Sequence, residues 1–228
     1  MSDRSTQKTR SLSPRTSAQQ KPETKTVSKS KVMGRPRIFD EEKVLNIVIE
    51  QFWQHGFEGT TFSHLTKATG LHKGSLYQAF GDKKSLFLKA LKNYLDQAYH
   101  QVMARVDRQA SPWQQLRTLV GSVILQNNLM EEGPCGCLAV NTMVEFSTMD
   151  SEVMQVLESG YAIRLQTLVE IIEQAQDASD VHTKLDAVEI SQMMCTLLAG
   201  MSASIKGPMS IEEAQQTADN FLVLIHQQ

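Results

Sequence analysis

Thr61-Phe62-Ser63-His64-Leu65-Thr66-Lys67-Ala68-Thr69-Gly70-Leu71-His72-Lys73-Gly74-Ser75-Leu76-Tyr77-Gln78-Ala79-Phe80-Gly81-Asp82-Lys83 reads as two short helices joined by a glycine turn. Thr61 or Ser63 supplies the cap of the first, which carries Phe62, Leu65 and Ala68 inward, and Gly70 is the natural turn after it. Taking Lys73 to Phe80 as the second helix and stepping 100° per residue puts Leu76 and Phe80 on one side, facing a core. Gly74 and Gln78 fall opposite, flanked by Ser75 and Tyr77, with Lys73 at the N-terminal end. That exposed side offers a hydroxyl, an amide, a phenol and an ammonium, and the bare Gly74 lets a partner come close to the backbone. Such a helix is roughly 12 Å long, about the width of the DNA major groove. The pattern is that of a helix-turn-helix, whose second helix reads base edges.

Blocks on either side share one order and spacing. Gly34-Arg35-Pro36-Arg37 comes first, then Phe52-Trp53-Gln54-His55-Gly56-Phe57-Glu58-Gly59-Thr60-Thr61. Leu71-His72-Lys73-Gly74-Ser75-Leu76-Tyr77 and Phe80-Gly81-Asp82-Lys83 follow, with Leu86-Phe87 inside the next helix. From Gly34 to about Leu91 the chain resembles the DNA-binding domain of the tetracycline-repressor (TetR) family of bacterial transcription regulators. The resemblance implies that Lys73, Gly74, Ser75, Tyr77 and Gln78 meet DNA, and that Lys83 holds a phosphate. Thr60 and Thr61 match the start of a helix that often does the same, and His72 is expected to touch phosphate or solvent. Gln78 departs from the aromatic residue or histidine common at its position, so the operator cannot be guessed from relatives.

Net charge over 228 residues is −2, unpromising for a nucleic-acid binder until its distribution is considered. Residues 1–37 carry ten Lys and Arg against Asp3 and Glu23, a balance of +8 that leaves −10 on the rest. A basic arm on an acidic body suits a protein that touches phosphates at one end. Residues 1–33 are rich in Ser, Thr, Lys and Gln with no aromatic before Phe39; we read them as a disordered basic arm without a secretory signal. Arg35 and Arg37 beside Pro36 are candidates for an adjacent minor groove. No long apolar stretch stands out as a membrane span. Three cysteines in a chain of this length fit a reducing cytoplasm rather than a disulfide framework.

From Asp40 onward helix follows helix, with no strand signals. Asp40-Glu41-Glu42 opens the first, Asp82 a long one, and Ser111-Pro112 another. Further starts fall near Cys137, Asp150, Lys184 and Ser210, where Ser210 and Glu213 form a capping box. The expected fold is all-α: a helix-turn-helix DNA-binding domain over 34–82, then a larger helical effector-binding and dimerisation domain over 83–228. Met193, Met194, Leu197, Leu198, Met201 and Ile205, with Ala214, Ala218, Phe221, Leu222 and Ile225, make apolar stripes on the last two helices. Two such helices can pack on their copies into a four-helix bundle, which is how the family dimerises, though burial within one chain accounts for part of the stripe.

The resemblance places an effector chamber between the long helices from Asp82 to Ala178. Met103, Trp113, Leu116, Val120, Met143, Phe146, Tyr161 and Arg164 are candidates by helical position. Trp113, Tyr161 and Arg164 stand out, Arg164 because a cation beside an apolar stripe calls for a partner or a ligand. Gly133-Pro134-Cys135-Gly136-Cys137-Leu138-Ala139-Val140-Asn141, followed by Glu145, resembles the Gly-Cys-Leu segment of one branch of the family, some of whose members respond to electrophiles or oxidants through cysteine. Cys137 would open a helix, where the dipole favours a thiolate, and Cys135 could resolve an oxidised partner across one glycine, at the cost of strain. Two small residues packed in a turn is the other reading, and both stand at this point. Cys195 lies in the apolar stripe and reads as packing.

The expected function is therefore that of a sequence-specific regulator of transcription, a repressor released from a palindromic double-stranded operator by a small-molecule or thiol-reactive effector, acting as a cytoplasmic homodimer. No paired carboxylates, phosphate loop or Ser/His/Asp grouping suggests an enzyme, and no ligand cluster suggests a metal or other cofactor. The competing reading is an architectural protein held to DNA by the basic arm. It would bind all sequences alike and lose binding with the arm.

Overall fold

Most of the helices begin where the sequence supplies a side-chain cap, those opening at Lys73 and Leu138 being exceptions. In the computed structural model, which describes residues 39–126, 135–146, 150–181 and 183–226, nine α-helices are found among the described residues. They are α1 (Glu41–Gly59), α2 (Phe62–Thr69), α3 (Lys73–Phe80), α4 (Lys83–Met103), α5 (Pro112–Gln126), α6 (Leu138–Glu145), α7 (Ser151–Asp177), α8 (Ala187–Ile205) and α9 (Ile211–Ile225). Asp40 accepts from the Glu42 and Lys43 amides, Asp82 from Ser85, and Asp150 from Val153. Asp186 with Glu189 and Ser210 with Glu213 form reciprocal capping boxes. The first of these sets the start of α8 at Ala187, three residues beyond the expected Lys184. Strands are absent among the described residues apart from a lone bridge between Val181 and His226, so the all-α expectation is met. The basic arm, with Arg35 and Arg37, lies outside the described residues.

Two apolar clusters organise the helices. One gathers Val48 and Phe52 of α1, Leu65 of α2, Leu76 and Phe80 of α3, and Leu86, Phe87 and Leu91 of α4. It is completed from far along the chain by Cys137, Leu138, Ala139 and Val140 at the start of α6 and by Val153 and Leu157 of α7. The other joins the end of α4 to α5, α7, α8 and α9 through Leu116, Ile124, Leu168, Ile172, Leu198 and Leu222, among others. Trp113 belongs to the rim of this second cluster, its ring 4.2 Å from that of His226.

The apolar stripes on the last two helices divide between core and surface. By length and composition α8 is apolar enough to cross a membrane, with a mean hydropathy of 1.2. Its apolar content has another account, because nine of its residues are buried against the rest of the fold. Those nine include Met194, Leu198, Met201 and Ile205 of the stripe read as an association surface; Ala214, Ala218, Leu222 and Ile225 of α9 are buried with them. Met193 of the same stripe is exposed and Leu197 and Phe221 are half-buried, while Val188, Val223 and Leu224 are exposed elsewhere on the two helices. Leu185, Met193, Leu197 and Phe221 line a shallow groove.

Candidate nucleic-acid interface and effector cavity

The helix-turn-helix is assembled around Leu65, Leu76 and Phe80, all essentially without solvent exposure. Thr61 caps α2, taking the His64 amide at 3.2 Å while the His64 ring accepts from the Thr61 amide. The opposite side of α3 faces solvent: His72, Lys73, Gly74, Tyr77 and Gln78 are exposed and Ser75 is half-buried. A Cβ added at Gly74 would meet nothing within 4 Å. Tyr77 is 42% exposed, yet its ring is fixed by stacking on Phe62 at 4.4 Å and 17°. The Lys73 ammonium lies 5.4 Å from the Phe62 centroid and 5.6 Å from that of Tyr77. The two rings therefore hold both a phenol and a cation on the surface with few rotamers left to lose. Lys83, at the start of α4, sits half-buried with its ammonium 4.3 Å from the Phe57 ring.

Thr60 does not belong in this set. Its side chain is 0% exposed, and its hydroxyl donates to the Gly56 carbonyl at 2.7 Å and lies 3.1 Å from that of Gln51. It ties the end of α1 instead of reaching outward, whereas its exposed neighbour Thr61 stays on the surface.

What holds this reading head against the rest of the chain is α6. At its C-terminal end, the Glu145 carboxylate accepts from the Phe57 amide at 2.9 Å and the Glu58 amide at 2.8 Å. Those amides are turned toward it because Gly56 interrupts α1 with φ +71 and ψ 178, a conformation that favours glycine. At the other end, the Trp53 indole donates to the Gly136 carbonyl at 3.0 Å. Gly136 itself has φ +67, and a Cβ there would fall 2.6 Å from the Ser202 carbonyl of α8. Between the two ties, the rings of Phe57, Phe87 and Phe146 pack at 5.0 to 5.2 Å. A further tie joins α4 to α7: Lys84 reaches Asp150 at 3.0 Å and Glu152 at 2.6 Å. The bonds to Glu152 and Asp150 raise the Lys84 ammonium above its ordinary value, and the bond to Lys84 lowers the Asp150 carboxyl.

Behind α6 lies a cavity of about 350 Å³ walled by α4, α5, α7 and α8. Its walls are mainly apolar, from Leu95, Val102, Leu119, Val123, Ile163 and Leu198. Its polar groups include Arg164, Thr167, Tyr94, Tyr99 and Cys137, with the charged Lys92 and Asp96 also in the lining. Tyr94 is buried and its hydroxyl donates to the Cys137 sulfur at 3.4 Å. Burial, and then the Cys137 thiol beside it, push the Tyr94 phenol well above its usual range.

Of the expected effector residues, Arg164, Cys137 and Met103 line this cavity. Trp113 and Tyr161 do not: Trp113 packs on His226, and Tyr161 points off the outer face of α7, 46% exposed. Leu116 and Val120 are buried core, Met143 is exposed, and Phe146 belongs to the aromatic packing under α1. Cys135 stands outside the cavity, with its carbonyl accepting from the Asn141 side-chain Nδ2 at 3.0 Å. None of the three cysteines is in a disulfide. Tyr94, Tyr99, Thr167 and Glu145 were not assigned roles from the sequence. The two tyrosines, five apart in an otherwise apolar helical stripe, were the signal available, since a buried phenol needs a partner. Among the described residues no three metal-binding side chains come together.

Comparison with known proteins accords with this geometry. Residues 48–90 match the family described as bacterial regulatory proteins, tetR family, and residues 112–218 match the tetracyclin repressor-like C-terminal domain. The chain is 27% identical over 201 residues to the HTH-type transcriptional repressor ComR of Escherichia coli K12, spanning 88% of this chain and 95% of that one. It is 25% identical over 193 residues to the repressor BdcR of the same organism, spanning 85% and 92%. Among solved structures, a cysteine mutant of the regulator CifR complexed with 26-bp operator DNA superposes with a TM-score of 0.71 at 26% identity, covering 83% of this chain and 98% of that chain.

Proposed function

The chain belongs to the TetR family of bacterial regulatory proteins, and from that premise we propose how its own residues do the work of a sequence-specific transcriptional repressor. The observation that carries the proposal is the exposed side of α3, where Lys73, Gly74, Ser75, Tyr77 and Gln78 stand free on a helix locked from beneath. Gln78 can take adenine in a bidentate pair, Ser75 and Tyr77 can bond a base edge or phosphate, and Lys73 neutralises a phosphate. Thr61, His72 and Lys83 flank it as phosphate contacts, with Arg35 and Arg37 of the arm reaching the neighbouring minor groove. The relatives ComR and BdcR are repressors and CifR has been seen on its operator, which supports repression here.

Residues 34–82 form the reading part and 83–228 the regulatory part of a cytoplasmic homodimer. The dimer forms through α8 and α9, on the side lined by Leu185, Met193, Leu197 and Phe221, because another side of both helices is occupied within the chain. Two recognition helices must then fall about 34–36 Å apart to enter successive major grooves of a palindromic operator. Filling the cavity moves Cys137 and α6, and the ties from Gly136 to Trp53 and from Glu145 to Phe57 and Glu58 carry that movement into α1. Strong release requires an effector that favours the non-binding state by several kcal/mol. Cys137 is the thiol that a reactive effector would meet in the cavity.

The test is binding to the DNA upstream of the protein's own gene against a shuffled duplex at physiological salt. A preference of about a thousandfold or more supports a specific repressor. Equal binding to both, abolished by removing residues 1–33, would replace it with an architectural protein held by its arm.

A further inference from the structure

The cavity is lined by an arginine that makes no ion pair among the described residues. Arg164, half-buried on α7, lines it, and among the described residues no carboxylate lies within ion-pair distance of its guanidinium. Asp96, the one acid in the lining, is exposed on α4 and makes no ion pair with it. The guanidinium acts on the interior, since its charge pulls down both the Tyr94 phenol and the Cys195 thiol against the larger effect of burial. Beside it, one helical turn along α7, the Thr167 hydroxyl donates to the Ile163 carbonyl at 2.9 Å and lies 3.4 Å from the Tyr99 hydroxyl, whose proton can turn either to Thr167 or to an acceptor in the cavity. Most of the remaining lining is apolar, including Leu95, Val102 and Ile163.

A half-buried cation without an anion is costly in a protein interior, and a guanidinium fork beside a phenol hydroxyl that can donate matches the two oxygens of a carboxylate. The volume, about 350 Å³, is at the low end of ligand pockets. We propose that the effector is a small hydrophobic monocarboxylate, its carboxylate held by Arg164 and Tyr99 and its apolar body lying between α4, α5 and α8. This rests on the reading of the cavity as the effector site and adds the chemical class of what fills it.

The experiment is calorimetric titration of the full-length protein with 4-phenylbutyrate, indole-3-acetate and decanoate, each paired with its primary amide. A carboxylate that binds wild type about ten- to hundredfold more tightly than its amide, with the preference lost in Arg164→Gln, is the expected result. Should Arg164→Gln fail to fold, Arg164→Lys answers the same question, because it keeps the preference for the acid while weakening its binding. Equal binding of acid and amide, an undiminished preference in Arg164→Gln, or no binding of any acid overturns the proposal. The regulator reading is checked separately by the preference of the ligand-free wild type for its upstream DNA. A specific DNA binder that ignores carboxylates refutes only the ligand class. A carboxylate binder with no DNA preference refutes only the regulator.

Discussion

Replacing Glu145 by Ala should loosen the reading head without dismantling the fold, and Gly56 provides the control. The carboxylate holds two amides at 2.8 and 2.9 Å. Charge-assisted bonds contribute about 1.5–3 kcal/mol each when buried, but Glu145 is exposed and the amides it leaves can be hydrated. We therefore expect about 1–2 kcal/mol for the pair together, or roughly 2–8 °C in melting temperature for a chain of this size. A Cβ at Gly56 would sit 2.9 Å from both carboxylate oxygens. Gly56→Ala thus adds left-handed strain of about 1–2 kcal/mol and also pushes the carboxylate off its amides. Once that has happened, removing Glu145 has little left to take. The double mutant should accordingly be only slightly less stable than Gly56→Ala, with a coupling of about 1–2 kcal/mol by chemical denaturation. Additivity to within about 0.3–0.5 kcal/mol would show that the two residues do not act on one another, and the account of α6 as the tie to α1 would fail with it. Operator affinity in the same set should fall by roughly five- to thirtyfold in Glu145→Ala.

On DNA, Gln78→Ala should cost about 1–3 kcal/mol and relax sequence preference, while Lys73→Ala should weaken all sequences alike and reduce the salt slope by about one; competition binding at several salt concentrations separates the two. The Lys84 tie has a pH signature. Asp150 is lowered from its ordinary 3.8, so its contribution is present above that value and lost as pH falls through the lowered one. Lys84 is raised from 10.5, so its contribution is complete below that value and lost as pH rises through the raised one. Lys84→Met should therefore lower the melting temperature by a constant amount from about pH 5 to 9, and the gap from wild type should narrow below about pH 4. Burial pushes the Cys195 thiol up, with Arg164 opposing in part. Mass-spectrometric mapping of iodoacetamide labelling at about pH 8 should find half-buried Cys135 modified first and Cys195 only on unfolding; prompt labelling of Cys195 would contradict its place in the core.

The helical skeleton was legible because its signals are local. Asp40, Asp82, Asp150 and Ser210 cap the helices they precede, and the period of Leu76 and Phe80 fixed which side of α3 is buried. Thr60 was misjudged because its hydroxyl is used up by carbonyls four and nine residues back, and a motif match does not see such bonds. Trp113 and Tyr161 were chosen by helical position, which gives a face but not what that face meets. For Trp113 the neighbour is His226 at the far end of the chain. Arg164 was singled out as a cation beside an apolar stripe, and it lines the cavity. The stripe on α8 and α9 mixed two faces, since periodicity marks what is apolar but not whether the burying partner is the same chain or a copy.

The cluster beneath α1, α2 and α3 also bears on how such proteins can be recombined. Cys137, Leu138, Ala139, Val140, Val153 and Leu157 are as much a part of it as Phe52 or Leu76. Grafting residues 39–82 onto another regulator's body would set its apolar side against strangers, with the Phe57 and Glu58 amides missing the Glu145 carboxylate and Trp53 its carbonyl. A working chimera would have to carry the start of α6 and of α7 along with the graft, or choose a recipient that already offers the same side chains there. The same reasoning means that substitutions at Val140 or Leu157, far from the DNA in sequence, should be expected to turn up in selections for altered operator binding.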